Sequence, residues 1–139
     1  MAKLFKFEVI TPTRTLYSDE VESIVFETEN GQMGVMAGHV PMLVANKACP
    51  LKIRKSKGAK PKYSFISEGF IEIAPDKVTA VVDEAEWVEE IDLEAAIKAK
   101  KVMEEDLAKK KQDLGMKAEL TASIERSAAR IKTARKMRQ

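Results

Sequence analysis

The residue types that do chemistry are sparse in this chain, and their spacing argues against catalysis. His39 is its one histidine and Cys49 its one cysteine, so no Cys/His metal set and no local His-assisted nucleophile can be assembled. A single cysteine allows no internal disulfide and fits a reducing compartment; it reads first as a small core or strand-edge residue. Gly31-x-x-Gly34-x-x-x-Gly38 has neither P-loop nor dinucleotide-fold spacing, and no Lys-Ser/Thr pair follows it. A Gly-x-Ser-x-Gly elbow is absent. The carboxylates from Asp83 to Glu94 read as a solvated linker rather than as a general acid and base. One spacing survives: Arg126 and Arg130 stand four residues apart, so a helix would put both guanidinium groups on one face, able to hold a phosphate.

What stands out instead is a candidate contact surface. Gly31-Gln-Met-Gly-Val-Met-Ala-Gly-His-Val-Pro-Met-Leu43 packs three glycines, the histidine and a proline among aliphatics and methionines. Glycine permits φ > 0 and proline fixes φ and removes a donor, so the segment is tightly shaped. Being also apolar, it is either folded into a β-core or made to be covered by a partner. Met33, Met36 and Met42 fit both readings, because methionine fills cores and also serves adaptable protein-binding surfaces.

The elements that must carry these residues change character once. From residue 4 to about 83 the hydrophobic period is two: Phe5, Phe7 and Val9; Leu51 and Ile53; Tyr63 and Phe65; Ile71 and Ile73; Val78, Ala80 and Val82. Turn signals interrupt the runs at Thr11-Pro12, Ser18-Asp19, Glu29-Asn30-Gly31, Lys57-Gly58, Glu68-Gly69 and Pro75-Asp76. Short strands at this spacing predict an antiparallel β-sandwich or barrel, and the sandwich is expected over residues 1–86. Beyond Glu84 proline is absent and glycine occurs only at Gly115. Asp92 is the candidate N-cap of a helix carrying Leu93, Ala96, Ile97, Met103 and Leu107, and residues 111–115 read as a turn. A second helix follows through Leu120, Ile124, Ala128, Ile131 and Ala134. The expected fold is therefore α+β, an N-terminal sandwich followed by an antiparallel two-helix hairpin over 87–139. Trp87, alone in an acidic stretch, is placed where the two meet.

Charge sharpens the hairpin's role. With 24 basic and 22 acidic residues the net charge is only +2, which argues against a general nucleic-acid binder. Yet residues 117–139 hold seven Lys/Arg against two Glu, a local +5. A two-helix hairpin has little core of its own, so it needs a second surface, either the sandwich or another subunit, and the basic cluster favours docking on an acidic partner protein. The N-terminal stretch alternates apolar and charged residues and reads as a strand, not a leader. No run of about 18 apolar residues exists to span a bilayer.

These motifs are similar to those of the epsilon subunit of the F-type, bacterial-like ATP synthase. Phe7-Glu-Val-Ile-Thr-Pro12 with Leu16-Tyr17 resembles that family's first hairpin. The 31–43 segment resembles its Gly-Glu-x-Gly-Ile-x-Pro-Gly-His-x-Pro-Leu-Leu. Phe65-Ile-Ser-Glu-Gly-Phe-Ile-Glu-Ile73 resembles its Ser-Gly-Gly-Phe-x-Glu-Val pair, and Val78-Thr-Ala-Val-Val-Asp83-Glu-Ala-Glu86 the run before its helices. The resemblance implies a non-catalytic rotor subunit at the cytoplasmic face of a bacterial plasma membrane, one copy per complex and not inserted in the bilayer. The sandwich would contact the gamma subunit and the c-ring through Gln32, Met33, Val35, Met36, His39 and Met42. The hairpin would fold beside the sandwich or extend toward the alpha and beta catalytic subunits, suppressing hydrolysis by docking Arg126, Arg130, Arg135 and Lys136.

Three positions depart from the family pattern. Gln32 stands where it has an acid, Ala37 where it has proline, and Ala95 where a nucleotide-binding motif has arginine. No cofactor is expected; ATP is a candidate regulatory ligand, through Asp92, Arg126 and Arg130, under the alternative reading of a small ATP-sensing domain.

Overall fold

The computed structural model describes residues 3–109 and 114–137. Ten strands come first: β1 (Phe5–Ile10), β2 (Thr15–Val21), β3 (Ser23–Thr28), β4 (Gly31–Met36), β5 (Met42–Asn46), β6 (Cys49–Arg54), β7 (Lys62–Ile66), β8 (Gly69–Ile73), β9 (Lys77–Val82) and β10 (Ala85–Trp87). A 3-10 turn at Val88–Glu90 leads into α1 (Leu93–Lys109) and α2 (Leu114–Met137). The strands form two five-stranded sheets, ordered β2-β1-β9-β8-β5 and β10-β7-β6-β3-β4. Every pairing is antiparallel except β1 with β9, which run parallel. The remote sequence positions of that pair hide its direction from local periodicity.

The alternating side chains do what their spacing requires. Phe5, Phe7 and Val9 of β1, Ile71 and Ile73 of β8, and Val78, Ala80 and Val82 of β9 point inward and are buried. They meet Ile24 and Phe26 of β3, Val35 of β4, and Leu51 and Ile53 of β6 in one continuous core between the sheets. Cys49 belongs to this core, its thiol pushed up to about 12 by burial, which fits a packing role and not a nucleophile's. One phase differs from the sequence reading. In β7 the core-facing residue is Ile66, whereas Phe65 is buried on the opposite side, in a small cluster with Ile91 and Ala134. Strand β7 is covered on both faces.

The covering layer is the hairpin. Helix α2 packs over β7 and β6, and α1 packs along α2. Asp92 caps α1, its Oδ1 accepting from the Ala95 N–H at 3.1 Å, as expected of an N-cap. The turn expected at 111–115 lies partly outside the described residues; Leu114 and Gly115 are already helical. Of the alanines available for close helix contact, Ala96 and Ala134 are buried, while Ala99, Ala118 and Ala122 face solvent. Packing is thus concentrated at the sandwich end of the hairpin, and Leu114 at its far end is 79% exposed.

Gly69, opening β8, is fixed by close approach. A Cβ there would lie 2.3 Å from the Val81 carbonyl oxygen and 2.8 Å from Val82 Cγ1, and the backbone oxygen has no rotamer with which to retreat. Gly69→Ala is therefore expected to destabilise the sandwich by about 2 kcal/mol, read as a lower urea midpoint with an unchanged slope.

Candidate functional site

The segment at 31–43 is the crossing from one sheet to the other. It runs as β4, the edge of one sheet, then turns through Ala37–Pro41 into β5, the edge of the other. Gly31 and Gly38 adopt φ of +114° and +81°, conformations that side chains resist. The turn is tied by Gly38 N–H to the Pro75 carbonyl at 3.4 Å and by His39 N–H to the Met36 carbonyl at 3.3 Å. The His39 ring keeps to its own loop, with Nδ1 2.8 Å from the Val40 carbonyl oxygen. Among the described residues no cluster of His, Cys, Asp and Glu could hold a metal.

The expected contact residues do not share one surface. Val35 is 1% exposed and part of the core, so its side chain cannot meet a partner; it obeys the inward phase of β4. Met33 is partly buried against the same core. Gln32 lines a groove beside the C-terminal end of α2 with Glu27, Lys47, Lys132 and Lys136. Met36 and Met42 are exposed, and the loop adds Val40 and Leu43, 71% and 68% exposed.

Those two lead onto a surface that sequence reasoning missed. On the outer face of the β2-β1-β9-β8-β5 sheet, Ala45, Phe70, Val81 and Ile10 are successive cross-strand neighbours. Phe70 and Val81 are more than half exposed. An apolar row crossing four strands is unusual for a face left to water. The signal was present: Phe70 and Val81 are out of phase with the inward residues of their own strands. The neighbouring row, Leu43, Glu72, Thr79 and Glu8, returns to polar character, with Lys77 Nζ 2.8 Å from Glu8.

The other outer face is occupied by the hairpin, and here the basic helix finds acid within its own chain. Arg130 grips Glu86 in a two-point fork, Nε to Oε1 at 2.6 Å and Nη2 to Oε2 at 2.9 Å. Arg126 donates to Glu68 through Nε at 2.8 Å and also through Nη2, and its Nη1 is 3.7 Å from Glu84. The stretch read as a solvated linker therefore supplies two of the three carboxylates. Spacing alone could not show this, because the third comes from the β7–β8 turn. Arg135 and Lys136 remain exposed. Asp92 is engaged as the helix cap, so the three residues considered for ATP do not converge on an open phosphate site.

The junction itself is pinned. Trp87 meets Tyr17 edge-on at 5.8 Å between ring centroids, with Lys62 Nζ 4.7 Å above the indole. Trp87 thus closes the sandwich rather than the hairpin seam. Glu90 accepts from the Trp87 N–H at 3.0 Å and from Arg14 at 3.1 Å, while Arg14 also donates to the Ala85 carbonyl at 3.2 Å. Val88 and Ile91 are buried on either side of it.

Taken together, the described residues make a two-part module, a sandwich with an uncovered apolar row on one outer face and a helical hairpin ion-paired to the other. Comparison with known proteins gives that class a family. The family model for the ATP synthase, Delta/Epsilon chain, beta-sandwich domain matches residues 4–88. ATP synthase epsilon chains of Dehalococcoides mccartyi, Ruminiclostridium cellulolyticum and Caldanaerobacter subterraneus are each 39% identical to this chain. The first alignment covers 99% of this chain and 96% of that protein, the second 96% and 98%, and the third 98% and 97%. Among solved structures, a chain of the Euglena gracilis mitochondrial ATP synthase superposes with a TM-score of 0.76 at 23% identity, over 91% of this chain and 78% of that one. A chain of the Tetrahymena thermophila mitochondrial ATP synthase central stalk and c-ring gives 0.60 at 14%, over 99% and 98%; both likenesses concern the fold. This chain belongs to the ATP synthase delta/epsilon family.

The pin at Glu90 has a pH signature. Hydrogen bonds from Arg14, then from the Trp87 N–H, hold its carboxyl below the ordinary value of 4.5. A carboxyl depressed on folding stabilises the fold above the unfolded value, and that contribution is lost as pH falls through the folded one. Because the pair is over two-fifths exposed, the expected cost of Glu90→Gln at pH 7 is only about 0.5 kcal/mol. Thermal melts of the two proteins should separate at pH 7, and the gap should narrow as pH is lowered below 4.5.

Proposed function

We propose that this chain is a non-catalytic central-stalk subunit of an F-type ATP synthase, joining ion translocation to ATP synthesis. Family membership over essentially the whole chain supports this reading. The observation that carries the rest is the division of the two outer faces: one bears an uncovered apolar row, the other is covered by a basic helix on carboxylates.

In this reading the sandwich grips the gamma subunit and the c-ring with exposed apolar groups. Met36, Val40, Met42 and Leu43 on the crossing, and Phe70 and Val81 on the sheet, form the grip. With Gln32 in place of an acid, the contact is made by packing more than by charge. His39 shapes the turn through its contact with the Val40 carbonyl. No described helix is long and apolar enough to cross a membrane, so attachment runs through these protein contacts, on the cytoplasmic side of the bacterial membrane. The hairpin is the regulatory part: released from the sandwich, it docks Arg126, Arg130, Arg135 and Lys136 on the catalytic subunits and suppresses hydrolysis. The ATP-sensing alternative draws less support, since Arg126 and Arg130 already hold carboxylates and Ala95 supplies no third cation.

Both halves can be tested in the assembled complex. Fully burying a phenylalanine side chain is worth roughly 1.5–3 kcal/mol, so Phe70→Glu should reduce recovery of the subunit with gamma and the c-ring at least tenfold. Deleting residues 92–139, which spares the Arg14–Glu90 pin, should raise ATP hydrolysis several-fold. Undiminished recovery of the Phe70 variant removes the apolar grip, and an unchanged hydrolysis rate removes the inhibitory role.

A further inference from the structure

Resting on the reading of α2 as a helix that docks on an acidic partner, we propose that Glu68, Glu84 and Glu86 are an internal substitute for that partner. Sandwich and partner compete for the same two arginines, so the hairpin engages one or the other. The three carboxylates then set how readily it leaves.

The geometry carries the competition. Arg126 and Arg130 are one helical turn apart on the face of α2 that meets the sandwich. Glu86 takes both Nε and Nη2 of Arg130, the edge of the guanidinium that presents a carboxylate-matching fork. With that edge filled, a second carboxylate has no equivalent approach. Glu68 occupies the corresponding edge of Arg126, and Glu84 stands 3.7 Å from its remaining nitrogen. The arginine side chains are both 27% exposed, so the pairs are open enough to be exchanged rather than sealed in.

The apolar cluster of the same seam has Phe65, Ile91 and Ala134 as its buried members, flanked by Ala48, Leu93 and Ala129, and α2 also buries Ile131 and Thr133. The ion pairs add to this packing and fix the register of the helix on it. Towards the C-terminal end of α2, Lys132, Arg135 and Lys136 are exposed and form no ion pair among the described residues. They are therefore available to an acidic partner while the hairpin is still docked. Exchange would begin at the C-terminal end of α2 and finish by displacing Glu86 and then Glu68.

The test uses the full chain, labelled with a dye pair at cysteines introduced by Lys57→Cys and Glu119→Cys, Cys49 being buried and unreactive. Neutralising both main partners, Glu68→Gln with Glu86→Gln, should raise the undocked fraction of the isolated chain about tenfold. Raising salt from 0.05 to 0.5 M should do likewise in the unaltered chain. The reciprocal pair Glu86→Arg with Arg130→Glu should restore docking; failure to redock would overturn direct pairing, as would an unchanged distance distribution in the Gln variant. In the assembled complex the Gln variant should suppress hydrolysis more deeply than the unaltered chain. Undocking without deeper suppression overturns the inhibitory reading and leaves the internal pairing standing. Unchanged docking overturns the pairing whatever hydrolysis does.

Discussion

A two-sheet sandwich has four faces and can use only two of them for its core. This constraint organises the whole molecule. The inward faces close on one another through Phe5, Phe7, Phe26, Leu51 and Ile71, leaving two outer faces that each need either polar residues or a cover. On one, Phe65 of β7 demands a cover, and the hairpin supplies it. On the other, Ile10, Val81 and Phe70 form a row that the chain itself does not cover. The first face makes the protein two-part; the second leaves an apolar row open to water.

The hairpin seam is stable for mixed reasons. Buried alanine at 134 lets α2 lie close on the sheet, and Phe65 and Ile91 exclude water around it. Partly exposed ion pairs then add modest strength but much geometric definition, because an arginine fork accepts a carboxylate in few orientations. Such a seam holds the helix in one register through contacts that stay partly open to solvent.

Much of this was legible in the sequence, and the exceptions have physical causes. Period-two runs located nearly every strand, and Asp92 marked the start of α1, because both signals are local. The parallel pairing of β1 with β9 was invisible, since two strands so far apart in sequence leave no local trace of relative direction. Val35 was assigned to a contact surface because an apolar, glycine-rich segment looks uniform until the strand's alternation sorts it. Phe65 and Ile66 are adjacent and both apolar, so only the presence of the hairpin decides that one faces the core and the other the helix. The carboxylates of 83–86 looked solvated because their partners lie more than forty residues away. The Arg126 and Arg130 spacing suggests a phosphate grip in the sequence; that both hold carboxylates of the same chain is a tertiary fact.

The pin formed by Arg14, Trp87 and Glu90 sets where the chain can pivot. Trp87, Val88, Glu90 and Ile91 are held to the sandwich by hydrogen bonds or burial, so a hairpin that left the sandwich would hinge beyond Ile91, at the root of α1. From there α1 extends as a rigid rod of 17 residues, about 25 Å long at the helical rise. A rotation of about 20° at its root would carry the far end of that rod about 9 Å. Such an arm would be geared: a small angular slip beside a fixed tryptophan would become a long sweep at the tip.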